Sequence, residues 1–440
     1  MNNTKRNETP LPRGILLSIA LSMFISLSIS CSSAPAVAGF DVAASDKERD
    51  RHPQTTTLEA DQLAAGNAEF ALRLYGVISE KGGNLFYSPF SISQALAMAY
   101  AGARGETETQ MADTLHFTLP QAKLHQAFNW LDLELAKRGE GAKGADDKGF
   151  RLNIANSLWA QNGFDFQKEF LDTLAENYSS GIRLVDFVAD TENARVTINR
   201  WVEEKTENRI KDLLQPGVVN DLTRLILVNA IYFNAAWEHQ FPKELTSDAP
   251  FNTLDGPPAT VKMMHSSEGE GMEYVKGDGY EALDVPYDAN ELTMTILLPD
   301  EGNYIAFEKS LNARKLDAIT ATMQPSTVIL SMPKFRVESQ FSLSDALTKM
   351  GMPIAFTDAA DFSGMDGRRD LIIQDVIHKA FVDVTEAGTE AAAATAVVMG
   401  ITSAPMSPIY FNVDRPFIFL IRDNPTGAIL FAGRVLNPNE

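Results

Sequence analysis

Six histidines and one cysteine hold most of what could serve as base, nucleophile or soft metal ligand in these 440 residues, and their spacing supports none of those roles. His52, His116, His125, His239, His265 and His378 are scattered singly. No HExxH pair occurs, no GxSxG elbow, no Walker loop and no GxGxxG opening a helix. His378 sits in the apolar, strand-like run Asp375 to Phe381, where a lone imidazole is more often a hydrogen-bonded core group than a base. The single cysteine, Cys31, excludes an internal disulfide and a CxxC site. The plentiful carboxylates read as solvated surface rather than a catalytic pair. With a net charge of −20 they also argue against a nucleic-acid partner, which needs clustered Lys and Arg. No cofactor site is legible, and the chain is not read as an enzyme.

The chemistry the sequence does suggest is chemistry done to it. Glu386-Ala387-Gly388-Thr389-Glu390 followed by Ala391 to Ala394, Thr395, Ala396, Val397, Val398 and Met399 is an unusual stretch. One reading is a short alanine-rich helix, since alanine is the best helix former. A second is a flexible linker, although Val397 to Ile401 is apolar for one. A third is a loop that lives exposed and later enters the middle of a β-sheet. Alternate residues of the new strand would then point inward. These would be Thr389, Ala391, Ala393, Thr395, Val397 and Met399, small first, then apolar, none charged. Glu390 falls on the outward set, and no proline interrupts the ladder before Pro405. Gly388 would supply the hinge. About a dozen residues gaining two ladders, at roughly 1 kcal/mol net per bond, would release on the order of 10 kcal/mol.

Separated motifs in order through residues 60 to 440 resemble those of the serpin family. Asn84 to Ile92, with Ser88 and Ser91, resembles the family's shutter segment. Leu227 to Phe233 followed by Trp237 resembles the strand beside the sheet opening, with Asn229 in the shutter and Trp237 in the breach. Met332-Pro333-Lys334-Phe335 resembles the adjacent strand, its lysine placed to pair with Glu386. His378 matches the shutter histidine. Asp414 to Phe419 and Leu430 to Val435 resemble the closing strands.

The resemblance implies an α+β serpin fold of three β-sheets and about nine helices, with an exposed reactive loop over 386–408. It also implies an irreversible inhibitor that a serine protease attacks as substrate, the cut loop then inserting into the central sheet. A monomer is expected. The usual spacing from the hinge glycine puts the scissile bond at Thr402-Ser403, with Ile401-Thr402 as runner-up and Met399-Gly400 and Met406-Ser407 behind. Between Gly388 and Pro408 there is no Arg or Lys, so the loop suits an elastase-like or subtilisin-like protease rather than a trypsin-like one. Ala387 departs from the glutamate that inhibitory members often carry there. A non-inhibitory serpin acting as a carrier or binding protein is the alternative, though its hinge usually holds bulky, charged or proline residues.

The elements that must position this loop are mixed. Helical spacing runs over Asp61–Glu80, Ser91–Ala103 and Arg195–Leu214. Short β-branched and aromatic runs over Leu225–Ile231, Leu292–Leu298, Val328–Met332, Ile409–Val413, Phe417–Ile421 and Ala428–Phe431 read as strands. Lys5, Arg6 and Arg13 before the apolar stretch to Ser30 read as an export signal over 1–30. Cys31 follows at once, after Leu27-Ser28-Ile29-Ser30, and resembles a bacterial lipobox cysteine, lipidated to anchor the chain in the cell envelope. Cleavage after Ala38, or an uncleaved membrane anchor, remains open. Residues 31–57 are polar and aperiodic and read as a flexible tether, with a single domain over 58–440.

Overall fold

The computed structural model describes residues 39–140, 150–254, 256–389 and 408–440. Among these, the strands form a seven-stranded and a ten-stranded sheet, with ten α-helices around them. The expected three sheets are joined into two because the strand Gln324–Pro333 pairs with Ala259–His265, with Glu270–Gly277 and, in parallel, with Ile409–Asn412.

The seven-stranded sheet carries the site. Its strands are β1 (Asp41–Ala43), β2 (Arg151–Gln161), β3 (Ile182–Val185), β4 (Leu225–Ala236), β5 (Phe335–Ser342), β6 (Asp375–Thr385) and β7 (Gly388–Thr389). They lie in the order β1-β3-β2-β4-β7-β6-β5. All twelve residues of β4 are buried, as the near-continuous apolar run from Leu225 requires of a strand covered on both faces. β4 and β6 are hydrogen-bonded directly, in parallel, from Ile226 with Asp375 to Ile231 with Ala380. Further along, β7 lies between them.

Helix α1 (Thr57–Ile78) starts at a capping box. Thr56 Oγ1 accepts from Glu59 N, and the Glu59 carboxylate accepts from Thr56 N. Helix α2 (Pro89–Tyr100) is capped by Ser88, opens on Pro89 and is buried on every side. It lies under the sheet in the main core, with α1 and the ten-stranded sheet. Helix α3 (Thr191–Lys205) covers the opposite face, where Ile198, Trp201 and Val202 meet Trp159, Val228, Tyr232 and Ile377.

The helix expected to run to Leu214 stops at Lys205, because Glu207, Asn208 and Asp212 have positive φ. Asn199 then holds the returning chain through both polar groups of Leu214 at 2.7 and 3.0 Å, which buries Leu213 and Leu214 on a loop.

The tether expected over 31–57 gives way, from Gly39, to chain that belongs to the folded unit. β1 pairs antiparallel with β3, and Lys47 and Arg49 make ion pairs with Glu176 and Asp132. A three-residue strand leaves no period to read, and partners 80 or more residues away leave no local signal.

Candidate functional site

The residues singled out around the sheet opening gather in two clusters on β4 and β6. One lies at the mouth, where β7 enters. The other lies about 25 Å further along β4, at eight residues of about 3.3 Å each.

At the mouth, β6 turns back through Glu386 and Ala387 into β7. Gly388 pairs with Thr385 and Ala236, and Thr389 with Val384 and Ala235. Gly388 has φ +151°, and a Cβ there would lie 2.1 Å from Ala235 O, so only glycine fits. Lys334 Nζ donates to Glu386 Oε2 at 2.8 Å, and Thr246 Oγ1 donates to Oε1 at 2.9 Å. Phe241 N–H donates to Glu386 O and Trp237 N–H to Ala387 O, which fixes the turn's backbone. The Trp237 indole donates to Thr385 O at 3.0 Å and stacks on Tyr287 at 4.6 Å. Tyr287 and Thr389 share a hydrogen bond of 2.8 Å. Burial alone would raise the Glu386 carboxyl. The bonds from Lys334, its own backbone and Thr246 outweigh that and hold it below its ordinary value.

The deeper cluster ties β6 to β4 and both to α2. His378 Nε2 accepts from Ser88 N–H at 3.2 Å, so its Nδ1–H donates to Asn229 Oδ1. The Asn229 amide donates to Ser91 Oγ and to Asn156 Oδ1. Asn156 in turn donates to Ser91 O and Gln94 Oε1, at 3.1 and 2.8 Å. Ser88 Oγ donates to Leu430 O. Ser88, Ser91, Asn229 and His378 are fully buried. Burial pushes the imidazole down to about 3, so it is a neutral structural hydrogen-bonder rather than a base.

A histidine whose folded pKa lies below its unfolded value stabilises the fold above about 6.5, and that contribution drains away as pH falls toward 3. Glu386, with a depressed carboxyl, begins its own loss only as pH falls to the ordinary carboxylate value and continues it below. The melting temperature is therefore expected to start declining near pH 6, before carboxylates protonate. A melting temperature flat from pH 7 down to 5 would contradict this account of His378.

The structure thus assembles Lys334, Glu386, Trp237, Gly388 and Thr389 at the mouth and Ser88, Ser91, Asn229 and His378 beneath. Ala391, Ala393, Thr395, Ile401, Thr402, Ser403 and Cys31 lie outside the described residues. Sequence reading missed Asn156, Gln94, Thr246 and Tyr287. Asn156 alone left a trace, as a polar side chain within the apolar strand run Ile154 to Ala160.

These clusters define a domain built on a sheet whose two central strands are joined deep inside and parted at one end around the start of a further strand. A family model described as "Serpin (serine protease inhibitor)" matches residues 65–438. Leukocyte elastase inhibitor of Bos taurus is 40% identical over 387 residues, covering 86% of this chain and all of that protein. The human one is 38% identical over 388 residues with the same coverage. An uncharacterized serpin-like protein of Thermococcus kodakarensis is 41% identical over 374 residues, 84% of each chain. Among solved structures, native tengpin, a thermophilic serpin, superposes with TM-score 0.78 at 28% identity, over 91% of this chain and all of its own. Uncleaved ovalbumin gives 0.75 at 28%, over 86% of this chain and all of its own. The chain belongs to the serpin family.

Proposed function

We propose that this protein is an irreversible inhibitor of serine proteases that acts as a suicide substrate. The observation carrying this reading is the register of β7. β4 and β6 run parallel with a constant offset of 149 residues, and β7 keeps that offset where it lies between them. Continued in the same register, Ala391 meets Phe233 and Val382, Ala393 meets Ile231 and Ala380, and Thr395 meets Asn229 and His378. That face is the main core, where alanines fit without displacing neighbours. The other face would set Ala392, Ala394 and Ala396 beside Tyr232, Phe381, Ala230, Val228 and Ile377, under the cluster covered by α3. An alanine run is what a strand needs to enter a sheet already packed on both sides.

The protease serine attacks the Thr402 carbonyl carbon. The Thr402-Ser403 bond breaks, the Ser403 amine leaves protonated, and an ester to the enzyme forms. The released loop then inserts, moving the ester by roughly 45 Å from the mouth. The names of the leukocyte elastase inhibitors support a target with a small or medium apolar pocket. Mixing with pancreatic elastase or subtilisin is expected to give a one-to-one complex that survives boiling in SDS. It should also release a C-terminal peptide beginning at Ser403. Two fragments, no complex and no gain in heat resistance would overturn the proposal.

A further inference from the structure

The segment from Gly39 to Asp50 is docked, and its docking leads into the deeper cluster of the opening. Phe40 packs edge-on against Trp159 at 4.8 Å, and β1 extends the sheet beyond β3. Asp50 N–H donates to Glu176 O. Arg49, with its side chain 13% exposed, enters most deeply. Its Nε donates to Asn129 Oδ1 at 2.7 Å and its Nη2 to Asp132 Oδ2 at 2.6 Å. Asn129 is fully buried and donates back to Asp50 O at 2.8 Å.

From Asp132 the bonds continue inward. Gln94 Nε2 donates to Asp132 Oδ1 at 3.4 Å, and Gln94 Oε1 accepts from Asn156 at 2.8 Å. Asn156 Oδ1 accepts from Asn229, and Asn229 Oδ1 accepts from His378. A continuous chain, Arg49-Asp132-Gln94-Asn156-Asn229-His378, thus joins the N-terminal segment to the bond holding β4 to β6. Each amide has its donor and acceptor ends used in opposite directions along it, so rotating one member breaks its bonds to both neighbours.

We propose that Arg49 is a positioning residue that holds the opening closed, so that the N-terminal segment sets the rate at which the loop inserts. The two-state element is the His378–Asn229 bond, made when β4 and β6 are paired directly and lost when a strand comes between them. Arg49 biases it by holding Asp132, which orients Gln94 and, through it, Asn156. Lys47 belongs to the same segment but pairs at the surface with Glu176, off this chain. It is the built-in control for simple loss of docking.

This inference rests on the inhibitory reading, and the experiment separates the two. Arg49→Ala, Lys47→Ala and the unaltered full chain are warmed below their melting temperatures. Residual SDS-stable complex formation with elastase and heat resistance of the uncut protein are followed in time. Arg49→Ala is expected to lose inhibitory capacity on the order of tenfold faster than the unaltered chain, while gaining heat resistance as its loop inserts unaided. Lys47→Ala should follow the unaltered chain. Equal rates for all three, or equal acceleration by both variants, overturn the coupling through Arg49. Absence of any complex with the unaltered chain instead overturns the inhibitory reading. A double-mutant cycle of Arg49→Ala with Gln94→Met gives a second readout by denaturant unfolding. Non-additive effects are expected, and strict additivity counts against the chain of bonds.

Discussion

Thr395→Arg is expected to turn the protein from an inhibitor into a substrate, with the yield of SDS-stable complex falling on the order of 100-fold or more. In the register set by β7, residue 395 arrives between Asn229 and His378, both fully buried. The side chain there faces the start of α2, among Ser88, Ser91 and Asn156. Threonine brings a hydroxyl able to bond with the groups that lose each other when the strands part. A guanidinium brings a charge among the neutral groups of Ser88, Ser91, Asn156, Asn229 and His378, all but Asn156 fully buried, at a cost of several kcal/mol. Insertion would stop near Ala394, and the protease would have time to hydrolyse the ester. The cleaved variant should melt at the temperature of the uncut protein, while the cleaved parent melts far higher. Glu390→Gln, on the outward set near the mouth, should still form the complex. If Thr395→Arg forms complex as well as the parent does, the strand does not insert in this register.

Asn229→Ala is expected to destabilise the uncut protein by about 4 kcal/mol, the largest loss from a single polar substitution in the opening. The amide serves three neighbours, accepting from His378 and donating to Asn156 and Ser91. Its removal leaves the His378 N–H buried without a partner, at about 1–3 kcal/mol. It takes one donor each from Ser91 Oγ and from Asn156 Oδ1, which keeps only its bond from the Ser91 hydroxyl. It also leaves a cavity between two sheet layers and the start of α2. The midpoint of denaturant unfolding should fall accordingly. A loss below about 1 kcal/mol would mean that the packing around β4 and β6, not this amide, holds the strands together.

Much of the proposed insertion machinery is legible in the chain because it would depend on side-chain size at alternating positions. The run from Gly388 to Met399 states which faces can be buried, and Gly388 proved to be the one residue that fits against Ala235. The Lys334–Glu386 pair came from motif resemblance and stands at 2.8 Å. His378 read as a core imidazole and is one. Six strands were also legible, since β-branched and aromatic runs need a pleated, covered surface, whereas others, such as Arg151–Gln161, were not. The α3 boundary was not, because Ile210, Leu213 and Leu214 keep helical spacing while the backbone has already turned through positive φ.

What the sequence determined by itself is the run of small, uncharged residues at alternate positions after Gly388 and the main elements around it, all written in local size and period. What only the tertiary structure decided is which polar groups meet. Asn156, Gln94 and Arg49 each look ordinary in the chain, and Arg49 lies in a stretch with no period at all. They form one line of bonds to His378 only because β2, α2 and the N-terminal segment come together at one place under the sheet. Hydrogen bonds depend on direction and on distances of about 3 Å, which a sequence does not carry across the 38 to 149 residues that separate these partners.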